Sequence, residues 1–339
     1  MGRKVIQHIS LNRDSKSYIN SLYAVLTSSG LFEGPKFLLS GMTGMAFKFT
    51  ILQGISPISI TAYGPWVREN WRAVNNLGIY NEARADRSRH RTFPLIQHNA
   101  IKEIKASIDN GRAVLYWCPP FGVIYGYDDE QKLFYYVEGE DRNFHGSKDR
   151  IAEKACLYDN VLLNHSSLWF YQLIGEKVEK EKKDIYRDSL LKAVFDWKGH
   201  KGQADASGKL AYPFVIDILK SGDFDSFGAA YTLHTYAQSK NEISHFMKEV
   251  VTEYKELTSS HKLFANVAQV YHQIDNLIDY QSRYSKISSE HFKPIVNYLQ
   301  EAESIENQAM IEIESFLQER FPDWSNTMNR LTWLQGDAR

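Results

Sequence analysis

The residues best placed to do chemistry in this sequence stand just ahead of its first helical stripe. Asp14 precedes Ile19, Leu22, Tyr23 and Leu26, apolar residues at helical spacing, and Gly30 stands where such a helix would stop. Asn12, Asp14 and Ser17 then fall at the amino-terminal end of that helix, where unpaired backbone N–H groups and the helix dipole favour an anion. The placement suits a serine nucleophile or an oxyanion; Asp14 acting as an ordinary cap accounts for it as well. A second candidate is Cys118, in the run Tyr-Trp-Cys-Pro-Pro at the end of a predicted strand. A reactive thiolate needs a cation, an imidazole or a helix terminus beside it, and no sequence neighbour supplies one, so a buried structural cysteine is expected. Arg84, Arg87, Arg89, His90 and Arg91 form a cluster that can clamp a phosphate or carboxylate, or can line a solvated loop. His234, His245, His261 and His272 lack metal-site spacing. With Cys118 and Cys156 the only cysteines, neither a zinc site nor a disulfide scaffold is expected. No phosphate loop, dinucleotide fingerprint or His-Glu-x-x-His helix is present, so no metal or cofactor is expected.

These residues need elements to hold them. Residues 35–50 read as a turn punctuated by Gly41 and Gly44, followed by a β-like run over 58–63 and an aromatic helical stretch around Trp66 and Trp71. A helix is predicted over 94–110, with Ile96, Ala100, Ile101, Ile104 and Ile108 on one face and Gly111 as its stop. Strands are predicted over 113–118, 122–127 and 132–137, the last two joined as a hairpin, and a fourth over 167–174. The almost wholly charged stretch 176–184 marks a boundary. Beyond it the pattern is helical. Leu263, Phe264, Val267, Val270, Tyr271, Ile274, Leu277 and Ile278 form one stripe; Phe292, Ile295, Leu299, Ala302, Ala309, Ile313 and Phe316 form another. Gly202 to Gly208 reads as a small-residue break between helices. The expected fold class is α+β: a domain over 1–178 with a central antiparallel sheet, then an all-α helical domain over 179–339.

Composition sets the outer bounds. A chain of 339 residues exceeds what one core usually fills, which agrees with two domains. Lys and Arg number 40 against 41 Asp and Glu, a net charge of −1, so no bulk attraction to nucleic acid or to an anionic membrane is expected. The opening residues 1–8 carry no apolar run of signal-peptide type, no later stretch reaches membrane-spanning length, and a cytoplasmic protein is expected. The 7 Trp, 20 Tyr and 18 Phe suffice to build cores and to line a pocket.

Several segments also carry a resemblance. Ser17 opens Ser-Tyr-Ile-Asn-Ser-Leu-Tyr-Ala-Val-Leu, which resembles the nucleophile helix of papain-like proteins. Residues 111–117, followed by Pro120 and Phe-Gly-Val-Ile-Tyr-Gly-Tyr-Asp-Asp, are similar to the strand pair of that superfamily, where a His opens a β-run ending in Gly-Tyr-Asp. Leu39 to Phe49, containing Gly-Met-Thr-Gly-Met-Ala-Phe, looks like a segment of proteins related to the amino-terminal domain of butirosin biosynthesis protein H. Residues 208–216 and 239–247 resemble helices of that family's helical part.

The resemblance implies a papain-like fold for the first domain and, from the family's namesake, transfer of an acyl group from a carrier-protein thioester to an amine. That chemistry uses a Cys thiolate, a His that moves protons, and backbone N–H groups that hold the oxyanion. Transferred position by position, the Cys becomes Ser17 and the His becomes Pro120, which moves no proton. The orienting carboxylate or amide falls near Glu138 to Glu140. The resulting expectation is an atypical or catalytically inactive papain-like protein, of bacterial secondary metabolism, that binds a small polar or carrier-bound acyl ligand. Its cleft would be walled by Asn12, Asp14, Ser17, Tyr18, Trp117, Cys118 and Pro120, with Thr43 and Phe47 nearby. The alternative is an active acyltransferase or amide hydrolase that uses Ser17 or Cys118 with a histidine from another segment, such as His8, His90 or His98.

Overall fold

The structure is a computed structural model that describes residues 2–138, 153–164, 167–280 and 285–324. In chain order its elements are β1 (Arg3–Val5), α1 (Ser17–Ser28), α2 (Lys36–Met42), β2 (Thr50–Leu52), α3 (Trp66–Asn75), β3 (Ile79–Arg87), α4 (Phe93–Asp109), β4 (Val114–Trp117), β5 (Phe121–Asp128), β6 (Leu133–Val137), β7 (Glu153–Leu157) and β8 (Leu168–Lys177). After these come α5 (Lys182–Lys198), β9 (Asp205–Ser207), α6 (Ala211–Ser221), α7 (Ser226–Glu253), α8 (Thr258–Asp275), β10 (Ile278–Asp279), β11 (Lys286–Ile287) and α9 (Phe292–Arg320). The fold is α+β, with a sheet unit and a helical unit. No described helix is long and apolar enough to cross a membrane.

The sheet unit comprises Met1–Leu39 and Gly64–Glu179. Its strands run β3-β8-β4-β5-β6-β7, all antiparallel. β4 pairs with the first half of β5 and β1 with the second, so β5 is central and buried along its whole length. Alternation along the strands sends successive side chains to opposite faces. On one face Val114, Tyr116, Ile124, Phe134, Trp169 and Tyr171 pack with Ala100, Ile104 and Ile108 of α4, whose apolar stripe has the predicted spacing. On the other, Tyr18 of α1 meets Phe121 edge-on at 5.4 Å, and Trp66 lies 4.5 Å from Trp117 and 6.0 Å from Phe170.

The helical unit comprises Ser40–Tyr63 and Lys180–Arg339. Inclusion of Ser40–Tyr63 corrects the expectation of one continuous domain over 1–178. The cause is burial: Phe47 packs between Phe246 and Phe264, with ring centroids at 6.2 Å and 6.0 Å, and Phe49 sits 4.8 Å from Tyr212 and 4.7 Å from Tyr236. Gly41 follows the same logic, since a Cβ there would stand 2.0 Å from the Phe246 ring. The expected turn over 35–50 therefore opens with α2, and only Gly44, at φ 72°, serves the turn. The expected strand over 58–63 is instead a 3-10 turn over Pro57–Thr61. β2 lies ahead of it and pairs with β9, inside the stretch expected to be a plain break.

At the centre of the helical unit, Lys240 of α7 donates to both carboxylate oxygens of Glu306 on α9, at 2.6 Å and 2.7 Å. Tyr212 donates to the same carboxylate at 2.6 Å, and the Lys240 ammonium lies 4.8 Å from the Phe49 ring centroid. Both charged residues are about as buried as the apolar core around them. Removing one partner of such a pair strands a desolvated charge, while replacing both with apolar groups does not. Lys240→Met alone should therefore lower unfolding stability by about 3–5 kcal/mol in a urea titration. The double variant Lys240→Met with Glu306→Leu should recover most of that loss; a single variant losing under about 1 kcal/mol would contradict the reading.

Candidate functional site

α1 begins at Ser17 without a side-chain cap, because its N-cap position is Lys16. Asp14 does not cap the helix as expected. Its exposed carboxylate is ion-paired with Lys36, whose ammonium also donates to the Asn12 carbonyl at 3.1 Å and to Asn20 Oδ1 at 3.0 Å. Asn20 Nδ2 in turn donates to the Ser15 carbonyl at 2.8 Å. One lysine and one asparagine thus tie down the segment leading into the helix. Asn12 and Asp14 face solvent, while Ser17 and Tyr18 are buried.

Tyr18 enters a polar network inside an otherwise apolar layer. Its hydroxyl donates to Gln172 Oε1 at 2.9 Å, and Gln172 Nε2 donates to Asn81 Oδ1 at 2.8 Å and to the Asn70 carbonyl at 3.1 Å. Burial pushes the Tyr18 phenol above its ordinary pKa, so it stays a neutral donor. Trp117 and Tyr18 both rest against Phe121, at 4.8 Å and 5.4 Å, so the wall expected of these two residues is brought together. The Trp117 Nε1–H and the Ser15 hydroxyl are buried and have no hydrogen-bond partner among the described residues.

The first turn of α1 packs against the start of β5, next to Pro120. Here the connection is Pro119–Pro120, joined by a cis peptide bond, and the first strand residue is Phe121. Neither can accept a proton. β6 pairs with β5 so that Val137 faces Val123, which brings Glu138 alongside the start of β5. Its carboxylate is held by Arg13, Nη2 to Oε2 at 3.5 Å, and by Lys154, and the Arg13 Nε–H donates to its backbone carbonyl at 2.7 Å. A carboxylate closed between two cations is a buried ion pair, in which loss of one cation weakens the compensation of its charge. Residues Gly139 and Glu140, within the span expected to hold the orienting group, lie outside the described residues.

Cys118 is a correction to the expected wall. Consecutive strand residues face opposite ways, and Cys118 packs with Cys156 and Tyr136 on the α4 side while Trp117 faces α1. Burial, then the Glu138 carboxylate, push its thiol above the usual range, opposed by Lys154. Burial with the Cys118 neighbour pushes Cys156 up to about 11. Thr43 and Phe47 are a second correction, since both belong to the helical unit. Thr43 Oγ1 donates to the Ser40 carbonyl at 3.1 Å, and Phe47 is core.

Among the described residues none of the three candidate histidines is hydrogen-bonded to Ser17. His8 and His98 are exposed, and His90 Nε2 contacts Asp86 Oδ1 at 3.2 Å. Arg84, from the arginine cluster, is neutralised by Glu82 and Glu103, each at 2.9 Å. Among the described residues no group of three or more His, Cys, Asp or Glu is placed to hold a metal ion. Arg13, Lys36, Lys154 and Gln172 were not legible as site residues. Gln172 alone left a trace, as a lone amide inside the apolar run of β8.

Raised thiol pKa values predict slow alkylation, because the thiolate fraction falls at every pH below the pKa. At neutral pH both cysteines should react with iodoacetamide more slowly than free cysteine. For Cys156 the shift from 9.0 to about 11 corresponds to about a hundredfold. Rates should climb about tenfold per pH unit until the pKa is reached. Mass analysis of Cys118→Ser and Cys156→Ser separates the two thiols, and fast labelling of Cys118 at neutral pH would restore it as a nucleophile.

No family model matches this chain, and no curated protein matches it.

Proposed function

We propose that the sheet unit is an atypical papain-like domain that binds a small polar or acyl-bearing ligand, free or carried on a pantetheine arm, and performs no Ser–His acyl transfer at Ser17. The observation that carries this reading is the substitution of function at the start of β5. Pro120 and Phe121 stand where a base is required, and Glu138 is committed to Arg13 and Lys154. A serine hydroxyl without a base stays protonated at neutral pH and is a weak nucleophile. What remains supports binding. The first-turn amides of α1 and their dipole suit a carbonyl or anionic oxygen. The Trp117 indole adds an apolar face and a donor with no partner among the described residues, and the Tyr18–Gln172 network holds α1 against the sheet. Within this reading the protein works in the cytoplasm of a bacterium, in secondary metabolism, where carrier-bound acyl groups are at hand.

The test pairs binding with covalent chemistry. Calorimetric titration with an S-acyl pantetheine should show reversible binding, weakened about tenfold in Trp117→Phe, the loss expected for one hydrogen bond to a buried donor. Intact-mass analysis after the same incubation should show no acyl adduct on Ser17. An adduct at that residue, absent in Ser17→Ala, would instead establish the acyltransferase or amide hydrolase alternative.

A further inference from the structure

The helical unit carries a nucleophile, base and acid arrangement within one short hairpin. Between α5 and α6 the chain turns at Gly199 and returns as β9. Ser207, the last residue of β9, lies 2.8 Å from His200 Nδ1, and His200 Nε2 lies 2.6 Å from Asp205 Oδ2. The two contacts suit one tautomer of the neutral imidazole. Nε2–H donates to the carboxylate, which leaves Nδ1 as the acceptor of the Ser207 hydroxyl proton. Both separations fall within the reach required of a nucleophile and its base, and of a base and its orienting group.

The hairpin is held by its backbone. The Ser207 amide donates to the His200 carbonyl at 2.8 Å, and the Gly202 amide to the Asp205 carbonyl at 2.8 Å. Gly199, at φ 63°, approaches so closely that a Cβ would stand 2.0 Å from the Ser207 carbonyl oxygen, and Gly208, at φ 57°, would clash with the Asp196 carbonyl oxygen at 2.4 Å. These contacts set the three side chains without help from a ligand, the preorganisation that catalysis requires. Ser207 also stands between a strand and a helical run, a 3-10 turn over Gly208–Leu210 that continues into α6. The Gly208 amide is committed to the Phe49 carbonyl at 2.8 Å, and the His200 amide donates to Ser207 Oγ at 3.1 Å. The imidazole is 60% exposed and the carboxylate 36%, which leaves the group open to an electrophile and to water.

We propose that Ser207, His200 and Asp205 form a nucleophilic centre for activated acyl esters and thioesters. The Ser207 Oγ attacks the acyl carbonyl and forms an Oγ–C bond while its proton passes to His200 Nδ1. The C–O or C–S bond to the leaving group breaks, and the leaving group takes that proton. Water then cleaves the acyl ester, with Nδ1 accepting a proton from it and returning one to Ser207. Asp205 is a positioning residue that holds the imidazole in the required tautomer.

An alkyl fluorophosphonate tests this on the full chain, since it forms Oγ–P with loss of fluoride only at an activated hydroxyl. Peptide mapping should place one adduct on Ser207, absent in Ser207→Ala. His200→Gln keeps hydrogen-bonding capacity without basicity and should slow labelling by about a hundredfold or more. Asp205→Asn should lower the maximal labelling rate at least tenfold, leave the half-saturating probe concentration unchanged and keep the wild-type melting temperature. No adduct on Ser207 under conditions that label an ordinary serine hydrolase would overturn the proposal. So would a Ser207 adduct whose rate is indifferent to His200→Gln, which would mark the hairpin as a purely structural turn. An adduct on Ser17 would count against the reading of the sheet unit and leave this centre untouched.

Discussion

An antiparallel strand must send alternate side chains to opposite faces, and the chemistry of the sheet unit is divided by that constraint. β5 is buried on both faces, and the residues of β8, two strands away, divide between the same two faces. Trp169 and Tyr171 go one way and Phe170 and Gln172 the other. The same rule separates Trp117 from Cys118, neighbours in sequence that end in different layers. Once the thiol is enclosed with Cys156 and Tyr136, its desolvation raises the pKa and lowers its thiolate fraction at neutral pH. The buried Gln172 shows the complementary cost. An amide in an apolar layer needs partners for both ends, and Tyr18, Asn70 and Asn81 supply them.

Charge is handled in two contrasting ways. Glu138 and Glu306 are buried and closed by cations, Glu138 by Arg13 and Lys154 and Glu306 by Lys240 among aromatic rings. Such pairs order the chain around them, because removing either partner would strand the other charge. His200 and Asp205 are paired in water, on a hairpin whose backbone contacts hold them. Burial therefore separates the two enclosed carboxylates from the solvent-facing carboxylate of the hairpin.

Legibility in the sequence followed from where each element finds its stabilising contacts. α4, α8 and α9 bury one stripe each, and the 3.6-residue period exposes such a stripe directly. β4, β5, β6 and β8 are rich in aromatic and branched residues because both of their faces are covered, and they read as strands. β3 did not, since Asn81, Glu82, Arg84, Asp86 and Arg87 mask its alternation. It is an edge strand whose sheet partner among the described residues is β8. The 3-10 turn over Pro57–Thr61 imitated a strand by composition, while its opening proline fits a helical first turn. The hairpin bearing His200, Asp205 and Ser207 had no period to detect.

By itself the sequence determined the helical character of the second half, the run of sheet strands in the first, and the lack of an imidazole at Pro120. These depend on residue type and on local periodicity. Only the tertiary structure decided that Ser40–Tyr63 joins the helical unit, that Asp14 is taken by Lys36, and that Cys118 faces away from Trp117. Only the tertiary structure, too, joined Ser207, His200 and Asp205 through one imidazole. Each of these rests on contacts between groups that local sequence does not pair: a ring entering a distant helical core, an ammonium reaching back 22 residues, a strand face chosen by its neighbours, a hairpin closed by backbone contact. Such contacts are selected by burial and close approach, which exist only once the chain has folded.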